Sequence, residues 1–394
     1  MRGTSRLDLH YTVAMTVELS QIDWKPFLAR PMLAAPTART LERVGAGTVL
    51  ITGAGGSIGS ALARQLARLI AQHSPPERIP PEPVLPQLIL LDASESHLYH
   101  LQQDLAADAQ PTMRIRYALA NCADRAALEE LFILYRPQLV FHTAAYKHVP
   151  LLEEMPLAAV ANNVLATGVL ADVAARYHAR MILLSTDKAA SPTSIMGATK
   201  WLAEQIALRA GGTALRLANV LASSGSVVER FAAQIVAGQP LTITSPQARR
   251  YFLTAGEAVH LLLSAATVPA PSLLAPELAS DHAIPDLARF LASTLNPEMD
   301  VSMTWTGLRA GEKLTERLWS TAEQARPIGS GLLAIIAPLL APSRLDRSLR
   351  QLHRAVATRD GALTVGELKA IVPGFDASQT AAHSHEQAIA QEIA

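Results

Sequence analysis

The feature that most constrains the fold is a glycine-rich turn between an apolar run and a helical pattern. The stretch TVLITGAGGSIGSALARQL, residues 48–66, starts with aliphatic and β-branched residues and continues with apolar residues at helical spacing. Gly53, Gly56 and Gly59 form a GxxGxxG pattern between the two. Such a turn lets the backbone approach a pyrophosphate, whose charge lies at the amino end of the following helix. The predicted dinucleotide-contacting residues are Gly53, Gly56, Ser57, Ile58 and Gly59.

Strand and helix patterns continue to alternate after this turn. Further predicted strands cover residues 88–92, 113–120, 138–145, 180–186 and 213–221. The longest predicted helix, Leu157 to Tyr177, precedes the strand RMILLST. This alternation predicts an α/β fold, a doubly wound parallel sheet of the Rossmann type. After Ser223 the alternation weakens, which predicts a smaller C-terminal lobe.

The predicted organisation has four parts. Residues 1–22 and 376–394 are predicted to be tails. Residues 23–222 form the dinucleotide-binding domain with a lead-in segment, and residues 223–375 are mainly a substrate-binding lobe. The proline-rich HSPPERIPPEPVLPQ, residues 73–87, predicts an inserted surface loop.

Two aspartates are candidates for contacts to adenosine. Asp92 ends the second predicted strand, where a carboxylate hydrogen-bonds the ribose and favours NAD over NADP. The alternative is that Asp92 caps the next helix beside Ser94. Asp124 has two equally open roles, contact with adenine or capping of the helix RAALEELF.

Composition excludes several classes of function. Hydrophobic residues make up 49% of the 394 residues and charged residues 17%, which is typical of a globular protein. The formal net charge of +0 gives no support for nucleic-acid binding or an anionic membrane surface. A single cysteine, Cys122, excludes an intrachain disulfide and a cysteine metal cluster. The apolar run at 331–342 is too short for a membrane span, so we expect a cytoplasmic protein without a bound metal.

Residues that carry chemistry follow the strand RMILLST. Thr186, Asp187 and Lys188 come at its carboxyl end, where ligands bind in parallel sheets. The next helix is predicted to start at Ser191 and Pro192, as an N-cap and first-turn pair.

This helix places Met196 and Lys200 on one face, four residues apart. Nucleotide-dependent oxidoreductases usually carry a Tyr-x-x-x-Lys pair here, with the tyrosine as proton carrier. A thioether cannot donate or accept a catalytic proton. The chain is therefore either inactive or keeps its acid and base elsewhere.

Eight motifs in order give the chain a family resemblance. They are TGAGGSIGS, LLDASESHLY, VFHTAAYKHVPLLEEMP, NNVLATG, STDKAASPTSIMGATK, NVLASSGSVVERF, RRYFLT and GLRAGEKLTE. From about Asp23 to Phe375 the chain resembles the nucleotide-sugar 4,6-dehydratases of polysaccharide biosynthesis, extended short-chain dehydrogenases that act on UDP-N-acetylglucosamine. The resemblance implies a bound NAD and a three-step reaction. Hydride leaves C4 for NAD, water is lost across C5 and C6, and hydride returns to C6.

The resemblance also implies roles for side chains. Thr186 would bond O4, Asp187 would protonate the departing C6 hydroxyl, and Lys188 would take the C5 proton. Burial near NAD and Lys200 is expected to lower the pKa of Lys188. Because a Lys188–Asp187 ion pair would oppose that shift, the two side chains are expected to diverge. Lys200 would bond the nicotinamide ribose, and Met196 matches the C5-retaining subtype.

Further positions are implied around the cofactor. Ala144 and Ala145 are expected to lie against NAD. Lys147 either reaches the substrate or is a surface charge. Asn163 either braces the strand that carries Thr186 or meets the cofactor.

The nucleotide of the substrate needs donors from the second lobe. Asn219, Arg250 and Arg309 match family positions that contact a UDP-sugar, and Arg is suited to phosphate. Arg250 is favoured over its neighbour Arg249. Family members associate through helices of the cofactor domain, so a homo-oligomer, a dimer or larger, is expected.

Two other functions remain open. A nucleotide-sugar 4-epimerase would need no acid at O6 and no base at C5, which Asp187 and Lys188 argue against. A non-catalytic NAD-binding sensor is supported by the missing tyrosine. The acceptor of the O4 proton is either Thr186 through water or Lys200.

Overall fold

The computed structural model describes residues 19, 21–73, 87–107, 114–298 and 300–376. The proline-rich loop and most of both predicted tails lie outside these residues.

Fifteen strands lie within the described residues. They are β1 Val49–Thr52, β2 Gln87–Asp92, β3 Arg114–Leu119, β4 Leu139–His142, β5 Arg180–Thr186, β6 Thr213–Leu217, β7 Asn219–Val220, β8 Leu241–Ile243, β9 Arg249–Arg250, β10 Phe252–Leu253, β11 Ser272–Pro276, β12 His282–Ala283, β13 Met303–Trp305, β14 Gln324–Gly329 and β15 Leu332–Ile336.

The helices of the described residues alternate with these strands. They are α1 Lys25–Leu28, α2 Ala38–Gly45, α3 Ser57–His73, α4 Glu95–Ala107, α5 Arg125–Tyr135, α6 Val149–Glu154, α7 Pro156–Val160, α8 Ala166–Arg176, α9 Ile195–Arg209, α10 Val227–Val236, α11 Ala255–Ala265, α12 Ile284–Leu295, α13 Pro342–Ala357 and α14 Gly361–Ile371.

A nine-stranded sheet forms the centre of the molecule. Its spatial order is β14–β15–β11–β6–β5–β4–β1–β2–β3. The strands from β11 to β3 are parallel, and β15 runs antiparallel to both of its neighbours, β11 and β14. Val49, Leu50 and Ile51 of β1 are fully buried because helices cover both faces. The predicted doubly wound parallel sheet is confirmed.

Two local predictions differ from the structure. The predicted strand at 213–221 is two strands, since β7 leaves the sheet to pair with β10. The N-cap of α9 is Ser194, whose side chain accepts a hydrogen bond from Gly197 N at 3.1 Å, so Ser191 as N-cap was wrong. A short 3-10 turn, Asp187–Ala189, and an extended segment occupy the residues before Ser194.

The predicted long helix contains a π-helical turn. Pro156–Arg176 runs through α7, the turn Ala161–Leu165 and α8. Among the described residues it is the one helix long and apolar enough to cross a membrane, and 56% of its most apolar window is buried inside the protein. π-helical turns frequently lie at functional sites.

The molecule has two apolar cores that do not follow the predicted division at residue 222. The larger surrounds the sheet and includes β11 and β15 from the C-terminal part. The smaller contains α10, α12 and the lead-in residues Trp24 and Phe27. An ion pair between Arg30 and Glu257, at 2.6 Å, holds the lead-in segment against α11. Glu257 also completes a capping box with Thr254 at the start of this helix.

The C-terminal helices cover part of the cofactor domain. α13 and α14 pack on each other and on α7, and α14 also contacts α9. Residues Ile195 to Leu208 of α9 are all buried. The face of α7 and α9 is therefore covered within the chain.

Candidate active site

A cavity of about 1100 Å³ opens at the carboxyl ends of β1, β4, β5 and β6. Its wall combines the glycine turn, the residues after β4 and β5, and residues of the second lobe. This volume is at the upper end for a single small ligand, so it suits a dinucleotide together with a second ligand.

The glycine turn forms one end of the cavity. Gly53 has φ +68°, and a Cβ there would lie 2.6 Å from Ala144 N. A Cβ on Gly59 would collide with the carbonyl oxygen of Gly53, so both positions require glycine. The cavity is lined here by the predicted residues Gly53, Gly56, Ser57, Ile58, Gly59, Ala144 and Ala145.

Asp92 lies directly under this turn. Its Oδ2 accepts from Gly55 N at 2.9 Å and its Oδ1 from Ser94 N at 2.9 Å. At the start of α4, His97 N donates a hydrogen bond to the hydroxyl of Ser94 and not to the carboxylate of Asp92. Asp92 lines the cavity, and a carboxylate has lone pairs beyond those two contacts, so its contact with a ribose stays a prediction.

Two predicted cofactor residues do not line the cavity. Asp124 caps α5, accepting from Ala127 N at 3.1 Å. Asn163, in the π-helical turn, accepts from Tyr146 N at 2.8 Å and donates to Thr199 Oγ1 at 3.2 Å. Asn163 thus braces the loop after β4 against α9, and not the strand that carries Thr186.

Thr186, Asp187 and Lys188 form one cluster at the end of β5. Thr186 Oγ1 donates to Asp187 Oδ1 at 3.0 Å, and Lys188 Nζ lies 3.0 Å from the same oxygen. Lys188 Nζ also donates to Asn219 Oδ1 at 3.1 Å. The buried Asp187 Oδ2 has no hydrogen-bond partner among the described residues. Thr186, Lys188 and Asn219 line the cavity.

Two expectations about Lys188 were wrong. Its side chain does not diverge from Asp187 but forms an ion pair with it, and 21% of that side chain is exposed. Desolvation acts to lower the pKa of Lys188, but the carboxylates of Asp187 and Glu316 outweigh it, so the pKa is raised. The free protein therefore holds Lys188 as a cation.

Lys200 and Met196 lie beside this cluster on α9, and both are buried and line the cavity. Lys200 Nζ donates to Leu184 O on β5 at 2.6 Å. Desolvation lowers the pKa of Lys200 to about 8, against a smaller opposite effect of Glu204 one helical turn away. Met196 fills the wall without polar contacts of its side chain.

A buried charge network supports the end of β5. Arg216 on β6 lies opposite Ser185 and is fully buried between Glu204 and Glu323, with Nη2–Oε2 and Nη1–Oε2 distances of 2.9 and 2.8 Å. Ser185 Oγ donates to Glu204 at 2.6 Å. Arg216 also donates to Leu318 O at 3.3 Å, so it ties β5 and α9 to the segment before β14.

The basic residues predicted for the substrate all line the cavity. Arg250 donates to the main-chain oxygens of Lys313 and Leu314 at 2.8 and 3.0 Å, whereas its neighbour Arg249 pairs with Asp281 outside the cavity. Arg309 pairs with Glu312 at 2.6 Å.

Lys147 also lines the cavity, although it stays exposed to solvent. It donates to Ser224 O at 2.5 Å, and desolvation lowers its pKa. Ser224 N donates a hydrogen bond to Ser57 Oγ at 3.0 Å, and this contact joins the second lobe to the glycine turn.

Sequence reasoning missed three cavity residues. Glu316 is buried, pairs with Lys313 at 2.7 Å and acts on Lys188. Arg230 follows the loop ASSGS, and Asn162 belongs to the π-helical turn. Glu316 and Arg230 both lie in motifs that mark the resemblance, GLRAGEKLTE and NVLASSGSVVERF, but neither motif indicates which side chains face inward.

The cavity is electropositive. Six basic side chains line it, against three acidic ones. The basic residues are Lys147, Lys188, Lys200, Arg230, Arg250 and Arg309, and the acidic residues are Asp92, Glu312 and Glu316. Across the described ranges, no cluster of three or more His, Cys, Asp or Glu residues could hold a metal ion. The arrangement suits phosphorylated ligands and proton transfer at the end of β5.

Comparison with known proteins identifies relatives of the chain. Residues 49–336 match the family described as "Polysaccharide biosynthesis protein". Capsular polysaccharide biosynthesis protein CapD of Staphylococcus aureus is 32% identical over 77% of this chain, and the probable polysaccharide biosynthesis protein EpsC of Bacillus subtilis is 34% identical over 78%. The chain spans about half the length of these two relatives, 50% of each.

A further relative and a solved structure complete the comparison. A UDP-glucose 4-epimerase of Rickettsia rickettsii is 30% identical, covering 71% of this chain and 79% of that protein. The X-ray structure of Pen from Bacillus thuringiensis superposes with a TM-score of 0.64 at 24% identity, covering 76% of this chain and 89% of Pen. At this identity the structural match establishes the fold.

Proposed function

The chain belongs to the polysaccharide biosynthesis protein family, and we propose that it is an NAD-dependent 4,6-dehydratase of UDP-N-acetylglucosamine that retains the configuration at C5. The observation that carries the proposal is the Asp187–Lys188 pair, in which Lys188 lines the cavity and Asp187 lies buried behind it, with Thr186 bonded to Asp187.

The cavity fits NAD at its glycine-turn end. Gly53 and Gly59 form a turn that no side chain could enter, and the carboxylate of Asp92 lies beneath it. Lys200 lines the cavity, and we assign it to the nicotinamide ribose. When bound, NAD would take a hydride from C4 of the sugar and later return it to C6.

The ion pair can supply both the acid and the base. Moving one proton over 3.0 Å from Lys188 Nζ to Asp187 Oδ1 gives a neutral amine and a protonated carboxyl group. Displacement of water by the substrate favours this neutral form, because isolated charges are costly in an apolar environment. Elimination restores the charges: Lys188 takes the C5 proton and Asp187 gives its proton to the departing C6 hydroxyl. Lys188 then returns its proton to the same face of C5, which retains the configuration.

The O4 proton is assigned to Lys200, with Thr186 hydrogen-bonded to O4. A pKa of about 8 leaves an appreciable fraction of Lys200 neutral near neutral pH. At the end of the cycle Asp187 lacks one proton and Lys200 holds one extra. Thr186, which donates to Asp187 Oδ1, offers the route by which this proton returns.

A direct assay tests the proposal. The purified protein is incubated with NAD and UDP-N-acetylglucosamine, and the nucleotide sugar is examined by mass spectrometry and NMR. The expected product has lost one water and, in deuterium oxide, keeps the original C5 configuration. An unreacted sugar with UDP-N-acetylglucosamine and with other nucleotide-linked hexoses would support the sensor and reject the enzyme.

A 4-epimerase is the second candidate, because the Rickettsia rickettsii relative is named as one. The same assay separates the two, since an epimerase yields a product of unchanged mass with inverted C4. A cytoplasmic location and a homo-oligomeric state stay predictions.

A further inference from the structure

Arg230 is a cavity-lining cation for which the reaction above has no role. It lies in the first turns of α10, just after the loop that joins Ser224 to the glycine turn. Its Nη2 donates to Thr242 O at 3.1 Å, and its guanidinium lies 5.8 Å from the ring centroid of Phe231. In the part of the chain that the structure describes, it forms no ion pair.

A second arginine lies close enough to act on it. Desolvation and then the charge of Arg309 lower the pKa of Arg230, while Glu312 acts in the opposite direction. Glu312 is the ion-pair partner of Arg309 at 2.6 Å, so one carboxylate serves two guanidinium groups. Two cations that line the same cavity favour the binding of an anion between them.

The same wall offers further donors. Ser226 is the N-cap residue of α10, but its hydroxyl makes no capping bond, and its buried Oγ has no hydrogen-bond partner among the described residues. The first-turn N–H groups of α10 therefore receive no capping bond from Ser226. They lie at the amino end of the helix, which attracts anions. Arg230, Arg309 and Ser226 all line the cavity.

We propose that Arg230 and Arg309, with the amino end of α10, bind the diphosphate of the nucleotide sugar. The inference rests on the proposed function and names a substrate-binding residue that the resemblance did not indicate. The planar guanidinium of Arg230, with donors that Thr242 O does not use, suits two phosphate oxygens at once. The other diphosphate that the cavity would hold, that of NAD, has the glycine turn and the amino end of α3 as its site.

Calorimetric titration of the full chain tests the assignment with UDP, uridine and NAD as separate ligands. Arg230→Met is expected to weaken UDP binding by about 10- to 100-fold, the range for a hydrogen bond to a charged group. Uridine and NAD affinities should not change, because neither depends on this diphosphate site. Arg230→Lys should recover part of the loss, since it keeps the charge without the planar fork.

Arg289→Met is the matched control, because Arg289 is an exposed arginine of α12 that pairs with Asp286 outside the cavity. Equal UDP affinities in wild type and Arg230→Met would reject the inference and leave the proposed function standing. A loss of NAD binding with unchanged UDP binding would assign Arg230 to the cofactor and also reject it. A wild type that binds NAD but not UDP would reject the proposed function itself, and the inference with it.

Discussion

Lys200 gives the site a testable dependence on pH. Desolvation lowers its pKa from 10.5 to about 8, so the neutral fraction of Lys200, which in the proposed mechanism accepts the O4 proton, shrinks as the pH falls below 8. We expect kcat to fall about tenfold per pH unit below pH 8 and to level off above it. The measurement is the initial rate of dehydration between pH 6 and 9.

Two variants show whether Lys200 causes this profile. Lys200→Arg holds a permanent charge and should be inactive at every pH. Met196→Leu keeps an apolar side chain of similar size on the same helix face and should keep the profile. A rate independent of pH over this range would contradict the role given to Lys200.

At the residue scale, the sequence indicated candidate residues but not their protonation states or their contacts. Asp187 and Lys188 were found from their place after a strand, yet the raised pKa of Lys188 depends on the 3.0 Å distance to Asp187 and on Glu316, more than a hundred residues later. The choice between two roles for Asp124 was likewise decided by one contact, to Ala127 N. Long-range distances of this kind are not encoded in a local pattern.

The start of α9 allows a direct comparison of two serines. Ser194→Ala removes the side-chain acceptor for Gly197 N and should lower the free energy of unfolding by about 1 kcal/mol. Ser191→Ala should change it by little, because Lys313 binds the main-chain oxygen of Ser191. Chemical denaturation measures both. A larger loss for Ser191→Ala would restore the start predicted from the sequence.

The Arg216 network predicts separate effects on stability and on binding. Arg216→Met leaves Glu204 and Glu323 buried without their cation, which should cost about 3–5 kcal/mol of unfolding free energy. Glu323→Gln keeps the Arg216–Glu204 pair but loosens the segment that follows Glu316. It should cost less stability and raise the KM for the nucleotide sugar with little change in kcat.

Glu129→Gln is the control for this pair of variants, because Glu129 forms ion pairs with Arg125 and Arg176 at the surface. Surface pairs of this kind contribute about 0–1 kcal/mol. A fall in kcat without a change in KM for Glu323→Gln would contradict the positioning role. None of these partners could be paired from the sequence, since Arg216 and Glu323 are 107 residues apart.

The elements themselves were well predicted where their patterns were strong. β1, β2 and β5 follow uninterrupted apolar runs, and their bounds agree with the prediction to within a residue. The break between β6 and β7 was missed because the run TALRLANVL continues through it, and the change of partner to β10 has no local signal.

We expect that the chain cannot be cut at the predicted boundary, residue 222, into a fragment that folds stably. A fragment of residues 23–222 lacks β11, β15 and β14, which complete the central sheet. It also separates Trp24 and Phe27 from the core that buries them. We expect this fragment to show no cooperative unfolding transition, whereas residues 21–376 should show one. Circular dichroism during heating measures both, and a sharp transition for the shorter fragment would contradict the interleaved arrangement.

The sequence predicted the two lobes but not how the chain crosses between them. The strand–helix alternation weakens after Ser223, and residues of α10 and α12 beyond it belong to the smaller apolar core. The return of β11 to the sheet was missed because its run, SLLAP, is short and ends in proline. The contact of the lead-in residue Arg30 with Glu257 had no signal in the sequence, since it spans more than two hundred residues.

The two C-terminal helices, α13 and α14, affect how much apolar surface this protein presents for association with other molecules. α13 and α14 both pack on α7, and α14 also packs on α9, so buried side chains of these two helices are covered by the C-terminal pair. A mutation that detached α13 and α14 would expose this apolar surface to water, and exposed apolar patches promote aggregation or binding to other proteins.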